Sequence, residues 1–296
     1  MHIRCVRLTY INQGIPFATF ATPPGNASLV PEFIAYFMQR TDLKTKLRQN
    51  ELTIGSWLTI PHPAVVDILA TANFEWLTID MEHSPIGVES AYRLIAHIQG
   101  NGMQALVRVS KNEEVIIKQV MDGGADGVIV PMIKNAEEAR RAVDFVKYPP
   151  VGKRGVGLSR AHGYGTRFAD YGSWLQDHSV VIAQIEHIEA VDNLEEILAT
   201  EGIDGIIVGP YDLSASMGTP GQYDLPNVKA ALRRVEQVCL ASDKVLGFHV
   251  IESKQTALQP FIEKGYSFLA FSLDFFFLGD RAREEMAKLK EQAKTS

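Results

Sequence analysis

From residue 53 onward, short runs of β-branched and other apolar residues alternate with longer segments whose apolar positions recur every three or four residues. The short runs are TIGSWLTI (53–60), EWLTIDM (75–81), QALVRV (104–109), DGVIVPM (126–132), VVIAQIE (180–186), DGIIVGP (204–210), VLGFHVI (245–251) and YSFLAFSL (266–273). Between them PAVVDILATAN, EEVIIKQVMDGG, AEEARRAVDFVKY, VDNLEEILAT and NVKAALRRVEQVCLAS carry helical spacing and close near Gly, Asn or Pro. The short runs read as nearly continuous Val, Ile and Leu, as a parallel sheet covered on both faces requires. This α/β pattern, repeated eight times, predicts a single closed (β/α)8 TIM barrel over residues 43–296. An open doubly wound sheet is the alternative, but no GxGxxG turn follows the first strand.

Composition narrows the function classes. At 296 residues, 46% hydrophobic and 22% charged, the chain is long enough to bury a large core. A net charge of -6, with no run of basic residues interleaved with aromatics, argues against nucleic acid and anionic membrane as partners. Cys5 and Cys239 are the only cysteines, too few for a disulfide framework or a cysteine metal cluster, which fits a reducing, cytoplasmic setting. No apolar stretch reaches the roughly 20 residues that cross a bilayer. Residues 1–42 hold Arg4 and Arg7 and no acidic residue before Glu32, a faintly leader-like pattern. The apolar stretches there are interrupted by Asn12, Gln13, Gly14 and Pro16, so the expectation is a loosely ordered N-terminal extension.

A barrel gathers its chemistry at the carboxyl ends of its strands. Those ends carry Glu82 and His83 after the second strand, Arg108 in the third, Glu186 and His187 after the fifth, Asp212 after the sixth, His249 in the seventh and Asp274 after the eighth. Any one of them can be a mere helix cap; the convergence of acids, bases and a cation is harder to explain that way. Glu186 and Asp212, on adjacent strand ends, suit a hard divalent cation that keeps open positions for water and a chelating oxyanion. Arg108 suits a developing negative charge, and His83 suits a base, with Asp80 three residues earlier as its orienting acid. A Schiff-base lysine is not evident: Lys134, after the fourth strand, reads as a solvated helix start. His62, after the first strand, reads as a loop residue or an outer contact to the substrate, and His97 as a structural or surface histidine. The glycine-rich stretch 149–172, with Arg154, Arg160, His162 and Arg167, lacks the GK[ST] ending of a phosphate loop and is expected at the site mouth or a subunit contact.

These residues sit in motifs that resemble the HpcH/HpaI aldolases: GSWLTIPHPAVVDILATANFEWLTIDMEHSP, VRVSKNEEVIIKQVMDGGADGVIVPMI, YPPVGKRGVG, QIEHIEAVDNLEEI and GIIVGPYDLSASMG, in order along most of the barrel. The resemblance implies a class II pyruvate aldolase acting on a 4-hydroxy-2-oxo acid or a 2-dehydro-3-deoxy sugar acid. It implies that Glu186 and Asp212 hold Mg²⁺, Mn²⁺ or Co²⁺, that His83 supported by Asp80 is the catalytic base, and that Arg108 steadies the pyruvate enolate. Gln184 falls near bound pyruvate and the backbone N–H groups of Tyr211 and Asp212 near its carboxylate. Asp122 matches an acid supplied to the site by a neighbouring subunit, in trimers or hexamers whose last helix packs across to a partner. Glu82 is expected near the ion without binding it.

Two positions depart from the family pattern. His187 stands where relatives have a small or polar residue, and is either an extra ligand or a bulky neighbour. His249 stands where they place an apolar residue lining the aldehyde pocket, which as a donor would favour a hydroxylated aldehyde. Two other readings stay open: an acyl-CoA lyase of the same superfamily, and a catalytically silent barrel that only binds.

Overall fold

The structure, a computed structural model, describes residues 5–11, 15–21 and 43–295. The chain divides into two compact units, residues 1–40 and 41–296. In the first, β1 (Cys5–Ile11) and β2 (Ile15–Ala21) pair antiparallel, with Cys5 opposite Ala21. The remainder of the expected extension lies outside the described residues.

The second unit runs α1 (Leu43–Arg48), β3 (Thr53–Leu58), α2 (Pro63–Ala70), β4 (Trp76–Asp80), α3 (Val88–Gly100), β5 (Gln104–Arg108), α4 (Glu114–Asp122), β6 (Gly127–Val130) and α5 (Ala136–Val146). It continues through a 3-10 turn at Arg160–Gly165, α6 (Phe168–His178), β7 (Val180–Ile185), α7 (Ile188–Asp192), α8 (Leu194–Leu198), β8 (Gly205–Val208), α9 (Pro210–Ser216), α10 (Pro226–Leu240), β9 (Val245–Val250), α11 (Gln259–Glu263), β10 (Phe268–Leu273) and α12 (Asp274–Thr295). Strands β3 to β10 are all parallel and close into a barrel, with β10 pairing back to β3 through Phe268 and Thr53. The α/β barrel expected from the alternation of short apolar runs is the observed fold.

Two apolar layers hold it. Alternate strand residues fill the barrel: Trp57, Trp76, Leu106, Ile129, Ile182 and Phe268 pack there in one cluster. The outward residues meet the helices in a larger one, which is why the strands are apolar on both faces. Large and small residues interlock inside. The Trp76 ring stacks on Phe268 at 4.4 Å, and it fits only because Gly55 is its neighbour; a Cβ there would lie 2.0 Å from the ring. At the amino end of the strands, Leu43 and Leu47 of α1 join the interior cluster and plug the barrel. Among the described residues no such plug closes the carboxyl end, and the polar groups stand there.

Of the two places expected for the glycine-rich stretch, the mouth of the chain's own site is not where it lies: Arg160 donates to the Gly123 carbonyl at 2.8 Å and to Gln99 at 2.9 Å, at the helix ends that precede β6 and β5, on the amino side of the barrel. Arg154 is buried within the stretch, its guanidinium 4.3 Å above the Tyr148 ring and donating to the Tyr171 hydroxyl at 2.9 Å. Aromatic rings hold Arg154 there.

Candidate active site

β4 ends at Asp80 because the side chain of Asp80 builds the turn that follows. Its Oδ1 accepts from the backbone N–H of Glu82 at 3.0 Å and of His83 at 3.2 Å, and the Ser84 hydroxyl donates to its carbonyl. Next to it on β5, its register partner Arg108 closes a two-armed ion pair: Nε donates to Oδ1 at 2.9 Å and Nη2 to Oδ2 at 2.7 Å. Burial pushes the Asp80 carboxyl up, but Arg108 and the two backbone donors outweigh it and hold the group below its ordinary value. The expectation that Asp80 orients the His83 ring is therefore corrected. The carboxylate is occupied by Arg108 and by the backbone of the turn, so Asp80 places His83 through its main chain. The ring itself is largely exposed at the mouth, with Nε2 3.6 Å from Glu82 Oε2.

Arg108 is fixed from below as well. Its guanidinium carbon lies 4.3 Å from the centre of the Trp57 ring, and the His249 ring packs on the same indole at 5.3 Å. Glu82 completes this side, with Oε2 3.4 Å from Arg108 Nε but lacking any hydrogen-bond partner although buried. Burial raises Glu82 to about 7 against the pull of Arg108, and the charges of Asp80 and Asp212 push it the same way.

Across the barrel, β7 delivers buried Gln184 and, just past its end, buried Glu186. Gln184 Nε2 donates to Glu186 Oε2, and the Met132 N–H donates to Oε1 at 2.7 Å. Met132 reaches that position with a left-handed backbone, φ 56°, right after β6, a conformation that costs a non-glycine residue energy and marks a constrained site. Gly209 leaves the other side open, since a Cβ would sit 2.8 Å from Glu186 Oε2. Burial raises Glu186 to about 7, with its two hydrogen bonds opposing and the charges of Glu82 and Asp212 adding to the rise. Asp212 and Tyr211 are exposed in the first turn of α9, which has no side-chain cap. A cleft lined by Glu82, Asn112, Met132 and Lys134 opens beside the acidic set.

The expected site residues thus separate by place. His83, Arg108, Asp80, Glu82, Gln184, Glu186, Tyr211, Asp212 and His249 all lie at the carboxyl end of the strands. Asp122 does not: it ends α4, near the amino end, its Oδ1 3.9 Å from Arg154 Nη2. Burial raises its carboxyl above the usual range. His187 is a cap, its Nδ1 accepting from the Glu189 N–H at 3.2 Å; this leaves no ligand role for that nitrogen. His62 caps α2 in the same way, and Asp274 is saturated by the Thr59 hydroxyl and the N–H groups of Thr59 and Ile60. Missed from the sequence were Met132, whose contribution is a main-chain N–H, and Trp57, the shelf under Arg108.

The donor set fits a divalent cation. The charges of Glu82, Glu186 and Asp212 oppose one another, Arg108 stands beside Glu82, and Glu82 keeps an orphaned oxygen. Among the described residues no group of three or more His, Cys, Asp or Glu forms a ready-made cage. An ion held here would need ligands beyond the protein's own, from water or substrate, which is the usual habit of Mg²⁺.

Known proteins agree with this architecture. Residues 53–278 match the family model described as HpcH/HpaI aldolase/citrate lyase. The chain is 36% identical over 251 residues to the hydroxypyruvate/pyruvate aldolase of Cupriavidus necator, covering 84% of this chain and 92% of that protein. It is 36% identical over 245 residues to a 2-dehydro-3,6-dideoxy-6-sulfogluconate aldolase of Pseudomonas putida, covering 82% and 95%. A crystal structure of a HpcH/HpaI aldolase/citrate lyase family protein from Burkholderia cenocepacia superposes with a TM-score of 0.79 at 31% identity, covering 84% of this chain and 98% of that one. The chain belongs to the HpcH/HpaI aldolase/citrate lyase family.

Proposed function

We propose that the chain is a metal-dependent aldolase, a carbon–carbon lyase that breaks or forms the C3–C4 bond of a 4-hydroxy-2-oxo acid or 2-dehydro-3-deoxy sugar acid. The products of cleavage are pyruvate and an aldehyde. The observation that carries this reading is the acidic set Glu82, Glu186 and Asp212 facing one braced arginine at the carboxyl end of a barrel. The names of the relatives, aldolases of pyruvate, hydroxypyruvate and a sugar-derived acid, support it. Glu186 and Asp212 would hold a divalent ion, Mg²⁺, Mn²⁺ or Co²⁺, whose chemistry is to draw electron density from a chelating 2-oxo acid.

The residues of the chain supply the remainder. Gln184 and the Met132 N–H keep the Glu186 carboxylate in one orientation. Arg108, flat on Trp57 and tied to Asp80, directs its remaining N–H groups at the 2-oxo oxygen as negative charge grows there. The N–H groups of Tyr211 and Asp212 face the substrate carboxylate. His83 takes the proton of the 4-hydroxyl as C3–C4 breaks; the bonding pair stays on the pyruvate fragment, and a proton returned to C3 completes pyruvate.

The assembly belongs to the same reading. Phe275, Leu278 and Leu289 of α12 are exposed, at 44%, 68% and 57%. An apolar face of that kind suits a second copy of the chain in a trimer or hexamer, where Asp122 would enter the neighbouring site. Among the described residues no helix is long and apolar enough to cross a membrane, in keeping with a cytoplasmic setting.

The test is pyruvate release from 4-hydroxy-2-oxo acids and 2-dehydro-3-deoxy sugar acids, and acetyl-CoA release from malyl-type and citryl-type CoA thioesters, using stripped protein with each divalent ion restored in turn. Release from a free 2-oxo acid only with ion present is the expected result. Turnover that survives chelation removes the ion from the scheme, and thioester cleavage alone assigns a lyase of the acyl-CoA type.

A further inference from the structure

Glu186 and Asp212 stand on different elements, the first just past β7 and the second in the first turn of α9. Gln184 and the Met132 N–H orient the Glu186 carboxylate. Asp212 is exposed, and α9, seven residues long, is too short to be stable on its own. What holds α9 therefore sets where the second carboxylate stands.

Leu213, fully buried, is one anchor. The others are serine hydroxyls, each used twice. Ser214 donates to the Tyr211 carbonyl at 2.7 Å and accepts from the Gly221 N–H at 2.9 Å, which keeps the loop after the helix against its first turn. Ser216 donates to the Leu213 carbonyl at 2.7 Å and accepts from the Ile188 N–H at 2.9 Å. This last bond leaves the element, because Ile188 opens α7 two residues after Glu186.

The Ile188 to Ser216 bond closes a ring of main chain. At its near end, where β7 and β8 cease to pair, the Gly209 N–H donates to the Ile185 carbonyl at 3.0 Å; at its far end Ile188 meets Ser216. Glu186 lies on one arm of the ring and Asp212 on the other. With both ends pinned, the separation of the two carboxylates is limited before an ion arrives. The same hydroxyl also satisfies a first-turn N–H for which α7 has no internal acceptor, as His187 does for Glu189. Helix capping alone is the rival account, and it costs stability without touching the choice between ions.

We infer that Ser216 is a positioning residue for the divalent ion: its hydroxyl fixes the gap between the Glu186 and Asp212 carboxylates, and with it how tightly and how selectively they take a small cation. The inference rests on the metal-dependent reading and deepens it by naming the residue that tunes the site. A small ion such as Mg²⁺ demands near-ideal octahedral geometry at about 2.0–2.1 Å, whereas Ca²⁺ accepts irregular shells at about 2.3–2.6 Å. A gap held by a cross-link favours the small ion. A gap set free loses that preference.

The experiment needs no turnover. Mn²⁺ binding to stripped full-length protein, read by electron paramagnetic resonance, and its displacement by Mg²⁺ or Ca²⁺ give three affinities for each variant. In Ser216→Ala the Mn²⁺ and Mg²⁺ affinities are expected to fall about tenfold or more and the Ca²⁺ affinity by less, so that discrimination between Mg²⁺ and Ca²⁺ drops. Ser216→Thr, which keeps the hydroxyl at this half-buried position, restores both. The control is Ser242→Ala, just past α10, where the hydroxyl makes the same two kinds of bond, donating to the Cys239 carbonyl at 2.7 Å and accepting from the Lys244 N–H at 3.1 Å; it leaves all three affinities as they were. If Ser216→Ala does not fold, Ile188→Pro removes the same bond from the donor side, at a first helical position that tolerates proline after the extended His187, and is expected to give the same pattern. Affinities unchanged in the variant lacking the bond, a loss equal for all three ions, no rescue by Ser216→Thr, or an equal loss in Ser242→Ala overturns the inference and leaves the metal site standing. No saturable Mn²⁺ binding by the wild type overturns both.

Discussion

The two ends of the barrel both hold buried charge and treat it in opposite ways. At the amino end Lys44 pairs with Asp204 at 3.0 Å and donates to the Ser179 carbonyl at 2.7 Å, while Asp204 accepts from the Val181 N–H at 2.8 Å. Asp126 likewise accepts from the Ala105 N–H at 2.7 Å and from Gln99 at 3.1 Å. Each of these acids fastens the start of a strand. At the carboxyl end Glu82 and Glu186 are raised to about 7, Glu82 Oε2 and His249 Nε2 have no partner, and Arg108, the arginine beside Glu82, is already committed to Asp80. Lys44, Asp204 and Asp126 find their partners within the chain, although on the same side Asp122 Oδ1 and Arg154 Nε and Nη1 are buried without a hydrogen-bond partner. The carboxyl end is completed by what it binds, the division of labour this architecture favours.

That contrast is open to attack from either end. The largest effect is expected at Glu186: Glu186→Ala lowers kcat/KM by about a thousandfold or more, while the melting temperature holds or rises, because a buried carboxylate under repulsion is removed. A fall in both would place Glu186 among the fastening groups. Arg108→Met follows, losing roughly a hundredfold or more in kcat together with some stability, since it leaves Asp80 buried without its ion pair; steady-state kinetics and thermal melts separate the two losses. Asp204→Asn is the reverse case: about 3 kcal/mol of stability goes with a broken buried pair, and kcat/KM stays as it was. Urea denaturation with an activity assay on the same sample reads both.

The smallest effect is a pH dependence. Asp80 is held below its unfolded value of about 3.9, so its pairing stabilises the fold fully above about pH 4. This contribution fades as pH falls through the lower folded value. The stability gap between wild type and Arg108→Met should therefore narrow on acidification below pH 4, by no more than about 1.4 kcal/mol per pH unit for one proton. A gap that is constant from pH 5 to pH 2, measured by chemical denaturation, would show that Asp80 gains nothing from Arg108.

The barrel was legible because each strand, wherever it lies in the closed sheet, is apolar on both faces and is followed by an amphipathic segment. The acids and bases at the strand ends were legible for the same reason, since a strand's end fixes which mouth of the barrel a residue joins. What a side chain does there was less so. Asp80 precedes His83 by three residues, a spacing that suggests a ring partner, yet the same spacing lets an Asp bond two backbone N–H groups and leave its second oxygen to the next strand. His187 follows Glu186 directly, but opposite sides of one turn separate them, and its nitrogen caps a helix. Met132 acts through a main-chain N–H and a left-handed φ, neither of which its side chain announces. That His249 Nε2 is buried without a partner depends on side chains of other strands, such as Trp57, which no local spacing announces.

The most direct measurement is Mn²⁺ binding to stripped protein, followed by electron paramagnetic resonance, for the wild type, Glu186→Ala and Asp204→Asn. Saturable binding of a single ion per chain by the wild type and by Asp204→Asn, and its loss in Glu186→Ala, is the expected result. Equal binding by all three proteins would contradict it, because the ion would then sit away from the acidic mouth.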